Sequence, residues 1–185
     1  FTTWSTPVFA TGVMGTQYAG PWVEVADYFH KWRAALGIVT DNDFRVMVCM
    51  HKGLFGLNGS ITTAIEGVKY DAPWVGGDGG ATHYFKFGSW STQLADLLNN
   101  KANGPYVNCS DVASFTSTMN SMMGIPNVKM LRLGYMSLNA IWGIGMPGYT
   151  TNLWGTGSNA FSYHHINTRD EGVAVSDSCL WVDED

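Results

Sequence analysis

Apolar residues recur at intervals of three and four over residues 22–36, where Val23, Val25, Ala26, Phe29, Trp32 and Ala35 fall on one stripe. That period predicts an amphipathic helix closed by Gly37. Asp41-Asn42-Asp43 offers a cap for a second helix reaching about Phe55. Its apolar face would carry Phe44, Val46, Met47, Met50 and Leu54, with Cys49 inside it as a small core hydrophobe. Residues 61–70 fit helix and strand equally, and 75-VGGDGG-80 is a loop. A short strand is expected at 83–87. Ser89 or Ser91 would then cap a helix through Leu98, and the stretch 99–105 is a turn-forming connector.

The fourth helix is the most clearly bounded. Asn108-Cys109-Ser110-Asp111 has the composition of a helix start. Val112, Phe115, Met119 and Met122 or Met123 fall on one face. Gly124 with Pro126 ends the run. Beyond it the period shortens. Residues 127–136 have strand character, 137–160 are rich in Gly, Asn and aromatics, and 161–168 and 172–177 predict two strands of a hairpin joined by Arg169-Asp170-Glu171. Helices in the first two thirds and strands in the last third indicate an α+β fold. Residues 1–20 read as an irregular extension of a single domain covering 1–185.

Composition narrows the class. With 45% hydrophobic residues the chain can build a sizeable core, and charged residues are only 14%. A surface of Gly, Ser, Thr and Asn is common in exported proteins, so an extracellular or cell-surface location is expected. The net charge of −5, with no Lys/Arg cluster, argues against a nucleic-acid partner. No apolar run approaches the ~18 residues of a membrane span. The chain begins at Phe1 without a basic-then-apolar leader, and is expected to be a processed product or part of a larger protein. No cysteine or histidine spacing suggests a metal site, and no cofactor is implied.

The chemistry centres on Cys109. A thiolate is the nucleophilic form, and a free cysteine has a pKa of about 8.5. In the first turn of a helix the sulfur sits near unpaired backbone N–H groups and the positive end of the macrodipole, and both lower its pKa. Asp111 favours the helix start while its charge works mildly against the thiolate. A nucleophilic cysteine needs a base, and the base needs an orienting group. His164 and His165 lie on a predicted strand, and Asp177 closes the next one. Side chains alternate along a regular strand, so one of the two histidines would face Cys109 and the other away.

These residues together resemble the transglutaminase-like superfamily. The resemblance is carried by Cys109-Ser110-Asp111-Val112-Ala113, Gly124-Ile125-Pro126, Leu133-Gly134-Tyr135, His164, Asp177 and an upstream Tyr70-Asp71, and covers about residues 44–183. Tyr163-His164 and 177-DSCLWVD-183 are similar to uncharacterised bacterial domains of that superfamily. Two positions depart from the usual pattern: His164-His165-Ile166 stands for His-Ala-Trp, and Ser178 for a Pro after the Asp. His165 therefore stays open as the alternative base.

The resemblance implies a papain-like core, with the helices, including the Cys109 helix, packed on a C-terminal antiparallel sheet. It also implies acyl transfer or hydrolysis on an amide of a protein or peptide substrate. Cys109 would be the nucleophile, His164 the base and Asp177 the orienting group. The Cys109 N–H would be one oxyanion donor, and Trp90 or Gln93 would supply the second, with core packing the competing role for Trp90. Cys179 is expected as buried packing, with a Cys49–Cys179 disulfide as the alternative. The rival function is a non-catalytic peptide- or glycan-binding domain on the same scaffold, its groove lined by the aromatics and the 137–160 segment.

Overall fold

The computed structural model describes residues 22–37, 52–55, 67–98, 101–125, 127–170 and 174–182. The first helix, α1 (Trp22–Ala35), follows the predicted stripe, with Val25, Phe29 and Trp32 buried. Of the second predicted helix, 52–55 is helical, and the rest, including Cys49, lies outside the described residues. Strand β1 (Lys69–Tyr70) resolves the ambiguous stretch at its C-terminal end. The loop after it runs through a short 3-10 turn, Pro73–Val75. A tight hairpin comes next, β2 (Phe85–Lys86) against β3 (Ser91–Thr92). Helix α2 (Leu94–Leu98) is shorter than expected because Ser91 and Thr92 pair as strand instead of opening the helix.

Strand β4 (Tyr106–Val107) pairs in parallel with β1 and delivers the chain directly to α3 (Cys109–Met122). The face of α3 predicted from its period is the buried one: Val112, Phe115, Met119, Met122 and Met123 all belong to the core. Gly124 ends it with φ 80, a left-handed conformation that glycine adopts without a Cβ clash.

The C-terminal third is strands, some on the stretches with predicted strand character and others in the 137–160 segment and at 180–182, where the period predicts none. They are β5 (Lys129–Leu133), β6 (Met136–Leu138), β7 (Ile141–Gly143), β8 (Asn159–Phe161), β9 (His164–Arg169), β10 (Ala174–Ser176) and β11 (Leu180–Val182). β9 is central in a three-stranded antiparallel sheet, with β10 on one side as the predicted hairpin partner and β5 on the other. β6 pairs with β8 and β7 with β11, both antiparallel. The chain is therefore α+β. α3 lies against β9, and Asn167 Nδ2 donates to the Ala113 carbonyl at 2.8 Å to bind sheet to helix.

Candidate active site

Four local devices hold the site. The first is the cap of α3. Asn108 Oδ1 accepts the N–H groups of Ser110 and Asp111, at 2.9 and 3.1 Å, and Asp111 Oδ2 accepts the Asn108 N–H at 3.1 Å. This reciprocal arrangement satisfies donors that a helix start leaves open. It does not engage the Cys109 N–H.

The second device is Asp111 itself. Fully buried, it also accepts N–H groups from His83 (3.0 Å), Tyr84 (2.7 Å) and Phe85 (2.7 Å). One carboxylate thus joins the Cys109 helix to the β2 strand. The sequence shows only the role of Asp111 toward the helix dipole, because its other partners come from a segment distant in the chain.

The third device is Asp71, also fully buried. It accepts N–H groups from Asp78 (2.7 Å), Gly80 (3.0 Å) and Ala81 (2.6 Å), and His83 Nε2 stands 3.4 Å from the same carboxylate. The 77–81 turn is thereby wrapped around Asp71. Gly77 is required by space, since a Cβ there would lie 2.4 Å from Asp71 Oδ1. Asn108 Nδ2 ties this turn to the helix start by donating to the Gly80 carbonyl and to Thr82 Oγ1, each at 2.8 Å.

The fourth is the β9–β10 hairpin and the turn after it. His164 Nε2–H donates to Asp177 Oδ2 at 2.6 Å. Asp177 Oδ1 is held by the N–H groups of Cys179 (2.8 Å) and Leu180 (3.1 Å). His165, next on the strand, turns instead to Ser110, sharing a hydrogen bond of 2.9 Å between Nδ1 and Oγ. Both rings are buried. The expectation that one histidine would face Cys109 and the other away is not met: His164 meets the Asp177 carboxylate, His165 meets the residue after the cysteine, and hydrogen bonding from both lowers the Cys109 thiol.

Cys109 is buried and free. Burial pushes its thiol up, but hydrogen bonding from His164 and His165 and the positive charge of His164 outweigh this and bring it down to about 6. For His164, burial favours the neutral ring, while hydrogen bonds and charge from Asp177 and Cys109 raise it to about 10. With Nε2 committed to Asp177, Nδ1 is the ring nitrogen that stays buried without a hydrogen-bond partner among the described residues. Both shifts favour the charged forms, thiolate on Cys109 and imidazolium on His164.

A cavity of about 220 Å³ is lined by Cys109, Asn108, Tyr70, Trp154, the Gly79-Gly80 turn and the end of β8 with its link to β9, from Ala160 to Tyr163. Among the described residues no Asp, Glu, Lys, Arg or His side chain lines it. Buried Asn159, next in the chain to the lining residue Ala160, accepts the Leu153 N–H at 2.7 Å through Oδ1 and donates through Nδ2 to the Asn139 and Thr150 carbonyls, each at 2.9 Å.

Trp90 and Gln93 are not among the residues that line this cavity. Gln93 donates its amide to Asp96 at 3.0 Å. Trp90 is 72% exposed with φ 51, so it does not pack in the core. It caps a surface cluster with Phe85 and Phe87, because the tight β2–β3 hairpin directs its ring outward. Cys179 is buried packing, as expected, and carries a free thiol. Cys49, the other half of the alternative disulfide, lies outside the described residues.

Among the described residues no three His, Cys, Asp or Glu side chains gather as a metal site, and no helix is long and apolar enough to cross a membrane. No family model, curated protein or solved structure matches the chain.

Proposed function

We propose that the protein is a thiol-dependent acyltransferase or hydrolase acting on an amide of a protein or peptide, on a papain-like core of the transglutaminase-like kind. The observation that carries this reading is His164, bonded to Asp177 through one nitrogen and coupled to the Cys109 thiol through the rest of the ring. A buried cysteine without a function has no physical need for an imidazolium beside it.

The chemistry is set by the charges. Cys109 Sγ, already a thiolate, attacks an acyl carbonyl, and the carbonyl electron pair moves to oxygen. Collapse of the tetrahedral species breaks the bond to the leaving amine, which takes its proton from His164. The acyl group is left on sulfur as a thioester. Water or a second amine then attacks that thioester, His164 accepts its proton, and Cys109 leaves as thiolate. Asp177 stays ionised throughout, holding the ring in place and stabilising its charged form.

The test uses p-nitrophenyl acetate as an acyl donor of simple chemistry. Acetyl groups should accumulate on Cys109, read by peptide mass spectrometry, and should vanish in His164→Ala. Acetylation that ignores His164, or that spreads over lysines while sparing Cys109, would remove the catalytic reading.

A further inference from the structure

The tetrahedral species places a negative charge on the former carbonyl oxygen, and that charge needs donors fixed in advance. The Cys109 N–H, left free by the cap, supplies one. The second must reach the same cavity, so it must come from the residues that line it.

The Gly79-Gly80 turn is the wall nearest the start of α3, since Asn108, the residue before Cys109, is bonded to the Gly80 carbonyl. Within this turn the N–H groups of Asp78, Gly80 and Ala81 are all committed to Asp71. The N–H of Gly79 lies between them in sequence and has no acceptor among the described residues. Space does not require glycine at this position, because nothing lies within 4 Å of where a Cβ would stand. Conformation does: φ is +110, a region that side-chain-bearing residues rarely enter. The backbone is held there by Asp71 from behind and by Asn108 from the side.

We infer that the Gly79 N–H is the second oxyanion donor, acting with the Cys109 N–H on the acyl oxygen. This rests on the acyl-transfer reading above. Attack of Cys109 Sγ forms the C–S bond and moves the carbonyl π pair onto oxygen, where the two N–H groups receive it. No proton is transferred to that oxygen, and the charge returns to the carbonyl when the leaving group departs. The cavity carries no acidic side chain of its own to repel this charge, and the Asp71 carboxylate behind the turn is occupied by three other backbone donors. The turn is therefore a rigid electrostatic wall, set in place before the charge develops.

The test is replacement of the single Asp78–Gly79 amide by an ester, inserting glycolic acid at position 79 of the full chain. The variant loses one N–H and keeps the backbone path. Acetylation of Cys109 by p-nitrophenyl acetate should slow about a hundredfold or more. Alkylation by iodoacetamide, which displaces iodide at a methylene and forms no oxyanion, should stay within about twofold of the parent, since the thiolate is untouched. An ester at Ala81 removes a donor bonded to Asp71 and controls for loosening of the turn; it should slow acetylation far less than the ester at Gly79. Undiminished acetylation in the Gly79 ester, equal losses in both esters, or a matching loss in alkylation would each overturn the assignment. A parent protein that alkylates readily at pH near 6 and never acetylates would instead sink the acyl-transfer function, and this inference with it.

Discussion

His164 and Asp177 meet at 2.6 Å across the turn after the β9–β10 hairpin, with Nε2–H of the ring donating to Oδ2 of the carboxylate. The other carboxylate oxygen is pinned by two backbone N–H groups of the same turn. The carboxylate therefore cannot rotate away without breaking its own chain's hydrogen bonds, and the ring is aligned by backbone geometry.

Protonation governs the reactivity of Cys109. The thiolate is the charged and reactive form, so a thiol brought down to about 6 reacts at lower pH than a free cysteine at about 8.5. The His164 ring keeps its proton until about 10. Iodoacetamide alkylation of Cys109 should rise around pH 6 and stay high up to pH 10. Cys179 should remain inert over the same range, because burial raises its thiol well above the usual value. A profile for Cys109 that rises only near 9 would contradict the ion pair.

Asp177→Asn removes a hydrogen bond and a charge that both hold the proton on His164. The ring becomes easier to deprotonate and the Cys109 thiol rises. Alkylation at pH 6 should fall by about tenfold, with recovery toward the parent rate at high pH. The thiolate absorbance in the ultraviolet, titrated in both proteins, gives the same answer without a reagent.

The two histidines should separate in one comparison. His164→Ala leaves burial of the sulfur unopposed by its main partner, and should move the alkylation midpoint to near or above that of a free thiol. His165→Ala breaks the bond to Ser110 and removes a lesser donor to the sulfur, so the midpoint should rise less. The reverse order would make His165 the base.

Asp111→Ala strips an acceptor from four backbone N–H groups at once. Leaving buried donors unpaired costs about 1–3 kcal/mol each before relaxation, and the total loss should be on the order of 4 kcal/mol because the segment can shift toward solvent. Urea unfolding monitored by tryptophan fluorescence measures it.

Gly77→Ala tests the Asp71 clamp. The new methyl would meet the carboxylate oxygen at 2.4 Å and the Ala72 nitrogen at 2.6 Å. Relief requires the 77–81 turn to move, at a cost of about 1–3 kcal/mol. Alkylation of Cys109 should change little, whereas acetylation should drop, since the turn lines the acyl cavity and does not touch the sulfur's partners.

The legibility of this site in the sequence depends on the range of the interactions involved. α3 is readable because Asn108, the three-and-four spacing of Val112, Phe115 and Met119, and Gly124 are all local signals. The β9–β10 hairpin is readable for the same reason, and it carries His164 toward Asp177. The clamps at Asp71 and Asp111 are not. A carboxylate that collects backbone N–H groups from another segment leaves no mark in the identity of its partners, because every non-proline residue offers the same donor. Trp90 misleads for a related reason: a tryptophan alone suggests burial, and only the hairpin geometry sends it outward. The β6–β8 and β7–β11 pairings likewise depend on buried Asn159 and on strands of three residues, too short to show a period.

Ser110 and His165, the neighbours of Cys109 and His164, are 55 residues apart in the chain. They meet only when β9 has docked on α3. A polypeptide emerging during synthesis carries Cys109 well before its histidine exists, and until then the thiol has the reactivity of any free cysteine. The protein is in this sense its own safety catch. On the proposed reading, nucleophilic power is acquired only once β9 docks on α3, and every excursion to the unfolded state disarms it.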